Sequence, residues 1–117
     1  MSENDRFWIR DTATMEDAIA MIQKNNSRCV VVVGAEQKVV GVFSEGDVLR
    51  AILAGTDIHT PLSTLIKPSF RYLRAPDLVA ARKLFLLGIT LVPVLDADFR
   101  LSSVLTLKDI FPPEDAG

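Results

Sequence analysis

Cysteine, histidine and tryptophan occur once each in this 117-residue chain, as Cys29, His59 and Trp8. A lone cysteine makes no internal disulfide and suits a reducing compartment, so a cytoplasmic location is expected. One histidine and one cysteine leave too few ligands for a transition-metal site. Asp96-Ala-Asp98 opens like a calcium loop but lacks its glycine and closing glutamate, and it fits a hairpin turn better. An excess of one charge is also missing: 13 basic residues stand against 15 acidic ones, a net charge of −2. No global basic field is therefore present to hold nucleic acid or an anionic membrane. The most apolar stretch, residues 84–95, is interrupted by Gly88, Thr90 and Pro93, and a membrane span needs about 18 apolar residues. The polar, acidic start, Met1 to Arg6, does not resemble a secretory signal. There is no glycine-rich phosphate loop ending in Lys-Ser or Lys-Thr, and no acid–base or nucleophile constellation. No catalytic residue, metal or cofactor is assigned, and an enzyme is not expected.

What is present is apolar: 49% of residues, with 24% charged, enough to build a packed core. The chain also repeats itself. Gly41-Val-Phe-Ser44-Glu-Gly-Asp47 aligns with Ser103-Val-Leu-Thr106-Leu-Lys-Asp109 at an offset of 62 residues. At the same offset Cys29-Val-Val-Val-Val33 falls on Leu91-Val-Pro-Val-Leu95, and Trp8 falls on Phe70. An internal repeat sets the architecture before any single element does.

Each half follows one order. In the first, Met15, Ala18, Ile19 and Ile22 mark one face of a helix over 14–24 that Asn25-Asn26 ends. The β-branched run 28–33, a turn over 34–38 and the run 39–43 make a hairpin. Ser44 caps a helix over 45–54, closed by Gly55. In the second half a short strand over 71–73 precedes a helix that Pro76 opens, with Asp77 next to it, and Gly88 closes. Residues 90–95 and 100–105 make the second hairpin, Thr106 caps a last helix, and Pro112-Pro113 stop it. The predicted divisions are a first repeat over 7–55, a polar connector over 56–67, a second repeat over 68–111 and a tail over 112–117. A unit of about 50 residues is marginal alone. Two βαββα units packed sheet to sheet share one core, an α+β fold with pseudo-two-fold symmetry.

This doubled order, the paired Ser/Thr-x-x-Asp motifs at Ser44–Asp47 and Thr106–Asp109, and the Val92-Pro93-Val94 strand resemble a tandem pair of cystathionine-β-synthase (CBS) domains, a Bateman module. The resemblance implies a regulatory module with a cleft between the repeats for an adenosine-containing ligand: AMP, ADP, ATP or an S-adenosyl compound. It also implies homodimers and an effector protein or fused domain that receives the signal. The connector, Leu53-Ala-Gly55 and Thr60-Pro61-Leu62, is similar to CBS pairs attached to sugar-phosphate nucleotidyltransferases.

The resemblance places ligand-binding residues at Ser44, Asp47, Thr106 and Asp109. The hydroxyls and free N–H groups at these strand-to-helix junctions suit a phosphate or ribose oxygen, and the aspartates suit a ribose diol. The same spacing also fits a capping box in which the aspartate only completes the cap. Backbone groups of Arg28, Cys29 and Val30, and of Thr90, Leu91 and Val92, match the positions that read an adenine edge; the other role for these strands is core. Arg28 and Lys108 are placed to reach phosphates, or are solvated surface charges. Trp8 and Phe70 are expected near the pocket floor, and the second site is favoured for its Val-Pro-Val strand and Lys108. The helix over 76–87 carries apolar residues around more than one face, which suits a homodimer or burial against the other half. The second reading of the whole chain is a ligand-free dimerisation module.

Overall fold

The computed structural model describes residues 3–67 and 69–110. The stop at Pro112-Pro113 and the tail over 112–117 lie outside them. The first repeat holds β1 (Trp8–Arg10), α1 (Met15–Asn25), β2 (Cys29–Val33), β3 (Val39–Ser44) and α2 (Glu45–Leu53). The second holds α3 (Leu78–Leu86), β4 (Leu91–Leu95), β5 (Leu101–Thr106) and the single turn α4 (Leu107–Ile110). β1 runs parallel to β2, and β2 antiparallel to β3. β4 and β5 form a two-stranded antiparallel sheet.

The repeat seen in sequence is exact at the level of register. The β2–β3 pairing shifts between Val32 and Val33, and the β4–β5 pairing shifts between Val94 and Leu95. Those positions are again 62 apart.

Alternation along the strands sorts their side chains into three layers. Val30 and Val32 face Met15, Ala18 and Ile22 of α1. Cys29, Val31 and Val33 face the other way and meet Leu91, Leu95 and Val104 across the seam between the repeats. Val92 and Val94 point outward again, against Ala81 and Phe85 of α3. The all-apolar strands are thus buried on both faces, as a continuous β-branched run requires.

Both helix starts in the first repeat are capping boxes. Thr14 accepts from the Asp17 N–H and Ser44 from the Asp47 N–H, and each aspartate reaches back to its cap residue's backbone N–H. Four local expectations change. Arg28 is not in β2: its φ of 59° puts it in the left-handed region just before the strand. The strand over 71–73 shrinks to one bridge, Leu73 beside Val94, so the second sheet lacks a full first strand. Pro76 does not open α3. Asp77 is the cap, accepting from the N–H groups of Val79 and Ala80, because a short carboxylate satisfies two N–H groups that proline leaves open. The connector is not wholly polar either, since Leu62 is fully buried in the first repeat's core.

That connector also completes α1. The carbonyls of Thr60 and Ile58 accept from the N–H groups of Met15 and Glu16, and Leu62 N–H donates to Ala13. The first-turn donors of α1, which a helix leaves open, are met by a segment some 45 residues away in sequence.

Cys29, at the start of β2, is buried. Burial and the nearby charge of Asp47 push its thiol pKa up to about 12. A thiolate is the reactive form, so a disulfide-exchange reagent at pH 8 is expected to leave the native protein unlabelled and to label it fully in denaturant. Rapid labelling of the native state contradicts this burial.

Candidate functional site

A cleft of about 560 Å³ opens where the two repeats meet. Its walls come from four places in the chain: Arg6 and Phe7 before β1, the loop Asn25 to Arg28 after α1, Thr90 before β4, and Val104 with Thr106 to Asp109 at the β5–α4 junction. Thr90 locks two of these together, because its hydroxyl donates to the Ser27 carbonyl across the repeat boundary. The volume lies within the range of small-molecule sites, roughly 300–1,000 Å³.

Of the residues singled out by sequence, this cleft gathers Arg28, Thr90, Thr106, Lys108 and Asp109. Cys29, Val30, Leu91 and Val92 are buried strand residues that do not line it. The Cys29 carbonyl is taken by the Asn25 side chain. Trp8 and Phe70 are not at its floor. They pack in the seam cluster with Tyr72 and Phe99, and Phe7 provides the aromatic wall instead. Arg6, Phe7, Asn25, Asn26 and Ser27 were not anticipated. The Asn25-Asn26 pair was visible only as a helix stop.

The two Ser/Thr-x-x-Asp motifs differ in what their aspartates are free to do. At Asp47, Oδ2 accepts from Ser44 N and Oγ at 2.8 and 3.0 Å, and Oδ1 accepts from Arg50 Nη2 at 2.7 Å. Both oxygens are committed, so the capping-box reading holds there, and Ser44 and Asp47 do not line the cleft. At Asp109, Oδ2 accepts from Thr106 N at 2.6 Å. The other oxygen has no hydrogen-bond partner among the described residues. In sequence the position matching Arg50 is Pro112, which has no cation to offer. Among the described residues α4 spans a single turn, and the side chains of Arg6, Arg28 and Lys108 supply anion attraction in the cleft. Against these three cations stands one carboxylate, Asp109.

Partial burial works against the charge on Asp47, but the Ser44 N–H and the Arg50 guanidinium outweigh it and hold its pKa below the ordinary 3.8. Such a depressed carboxylate stabilises the fold fully above its unfolded pKa and loses that contribution as pH falls through its folded value. Asp17, held low mainly by the Thr14 N–H, acts in the same sense. The stability of the wild type is therefore expected to fall below about pH 4, and Asp47→Asn to flatten that acid limb. An acid limb unchanged in Asp47→Asn contradicts the assignment.

Among the described residues no group of three or more His, Cys, Asp or Glu is placed to hold a metal, and no helix is long and apolar enough to cross a membrane. Comparison with known proteins gives the geometry a context. The CBS-domain family model matches residues 1–54. Two curated relatives are arabinose 5-phosphate isomerases of Escherichia coli strain K12. GutQ is 29% identical over 107 residues, 86% of this chain and 32% of the relative, and KdsD is 26% identical over 110 residues, 87% and 32%. The chain thus spans about a third of the length of these relatives. Among solved structures, a CBS domain protein from Pyrobaculum aerophilum complexed with AMP is 28% identical, covering 87% of this chain and 80% of that one, with a TM-score of 0.69. A putative acetoin utilization protein from Vibrio cholerae, 24% identical over 88% and 78%, matches with a TM-score of 0.75. With its first repeat matched by the CBS-domain family model and both repeats in the arrangement of these solved proteins, the chain is similar to a tandem pair of CBS domains.

Proposed function

We propose that the chain is a regulatory module that binds an adenosine-containing ligand in the inter-repeat cleft and signals its occupancy to a partner or attached domain. The observation that carries this reading is the cleft itself. It sets a carboxylate oxygen of Asp109, unpartnered among the described residues, beside three cations, with Phe7 as an aromatic wall. The carboxylate suits a ribose diol, the cations suit phosphates, and the ring suits a base. Three cations against one anion favour AMP, ADP or ATP over an S-adenosyl compound, whose sulfonium adds positive charge. The AMP complex of the Pyrobaculum protein supports the same class of ligand. The curated relatives are isomerases of a sugar phosphate rather than nucleotidyltransferases. An attached or partner domain acting on sugar phosphates, in the cytoplasm, fits the reading best.

We propose in addition that two copies pair through their helices. Leu49, Ile52 and Leu53 on α2 and Leu78, Val79 and Leu86 on α3 are exposed, Leu53 at 87% and Leu86 at 75%. These side chains are not buried against the other half of the same chain, and a homodimer interface covers such apolar surface. The same observation favours the second reading, a dimerisation module without ligand. Thermal unfolding with AMP, ADP, ATP and S-adenosylmethionine separates the two. A ligand at about 100 times its Kd adds about 2.7 kcal/mol to stability, so a clear rise in Tm with a nucleotide supports the first. No shift with any of the four at millimolar concentration, in a protein that is a tight dimer, supports the second.

A further inference from the structure

The cleft has one wall that the second repeat does not copy. Asn25 is a polar side chain only 6% exposed, and the position matching it in the second repeat is Leu87. Its amide makes three hydrogen bonds to two separate segments, the one before β1 and the one entering β2. Nδ2 donates to the Arg6 carbonyl at 3.1 Å and to the Cys29 carbonyl at 3.0 Å, and Oδ1 accepts from Ser27 N–H at 2.8 Å. Two carbonyls and one N–H fix the orientation of the amide, since the flipped side chain satisfies none of them.

Each partner matters to the cleft. Ser27 sits between Asn26 and Arg28, both in the left-handed region at φ 56° and 59°. Non-glycine residues adopt that conformation at a cost and need their surroundings to hold it. The bond to Ser27 N–H helps hold the loop that aims Arg28 into the cleft. The bond to the Arg6 carbonyl fixes the segment carrying Arg6 and Phe7, and the next residue joins the sheet through Val31 N–H to the Phe7 carbonyl. Arg6 lies over the Phe7 ring at 5.0 Å, so the two side chains form one wall.

We infer that Asn25 is a positioning residue that couples the cleft to the N-terminal segment: a nucleotide gripped by Arg6, Arg28 and Asp109 holds both walls, and this one amide ties them together. Occupancy is thereby felt by residues 3–8, through which the chain enters the fold. The inference rests on the nucleotide reading above and adds to it the route by which binding leaves the cleft.

Hydrogen exchange with AMP as the probe tests it. In the wild type, AMP is expected to slow exchange both at Thr106 to Asp109 and across Arg6 to Ile9. In Asn25→Leu, which places the second repeat's residue there, AMP binding is expected to weaken about tenfold. At saturation the variant still protects 106–109, while protection over 6–9 shrinks to the cleft-lining Arg6 and Phe7 and no longer reaches Trp8 and Ile9. The wild-type measurement stands whether or not the variant folds. AMP that binds the wild type and protects 106–109 without changing exchange at 6–9 overturns the inference. So does an Asn25→Leu variant that binds and protects as the wild type does. A wild type that shows no AMP binding at all overturns the nucleotide reading instead.

Discussion

Asp109→Ala is expected to weaken AMP binding by about tenfold to a hundredfold while Asp47→Ala leaves it nearly unchanged. The estimate comes from one lost hydrogen bond to a charged acceptor, ~1.5–3 kcal/mol, at ~1.4 kcal/mol per tenfold. Both aspartates occupy the same motif, so sequence alone assigns them the same role. The structure separates them. Asp47 spends both oxygens, on the Ser44 cap and on Arg50, whereas Asp109 spends only one on Thr106. Each substitution removes a bond to its cap residue, so both variants are expected to lose some stability, about 0.5–2 kcal/mol on the scale of helix caps. Affinity, measured by calorimetry at a temperature where both are folded, is what distinguishes them. Equal losses in the two variants contradict the assignment of the site to the second repeat's motif.

The larger stability effect is expected at Leu62. This side chain is fully buried among Ile9, Met15, Ala18, Ile22, Val30, Val32 and Phe43. Leu62→Ala is expected to cost ~2–5 kcal/mol, the range for a buried leucine that leaves a cavity. The connector has little room to close over such a gap. A Cβ added at Gly41 meets the Lys67 carbonyl at 3.1 Å, so the backbone already lies tight against β3, and its carbonyls are held by the first turn of α1. Leu53→Ala on exposed α2 is the control, with an expected change within about 0.5 kcal/mol for the monomer. Urea unfolding of the two variants measures the difference. A Leu62→Ala cost under 1 kcal/mol means that the connector does not close the first repeat's core.

Where local chemistry decides, the sequence was legible. Ser44 is a helix cap by local chemistry alone, whereas whether the aspartate three residues on completes the cap or faces a ligand is decided only by the fold. The offset of 62 carries through to the matching register shifts at Val32 and Val94. Where the outcome depends on segments far apart, it was not. The valine run 30–33 announces a strand, but which valines meet α1 and which meet β4 follows only once the seam is built. Leu62 looked like one apolar residue in a polar linker because its burial is supplied by α1 and the first sheet. Arg71 to Leu73 has strand propensity but only one bridge, since β4 offers it a single pairing position at Val94. The cleft's second wall escaped notice for the same reason. Arg6 and Asn25 lie 19 residues apart, and only the fold brings the carbonyl of one to the amide of the other.

The central claim is that the chain senses an adenine nucleotide through one inter-repeat cleft. Calorimetric titration of the purified protein with AMP tests it most directly. The account predicts saturable binding of one nucleotide per chain, weakened as salt screens Arg6, Arg28 and Lys108. Absence of binding up to millimolar AMP, ADP and ATP, or two equivalent sites per chain, contradicts it.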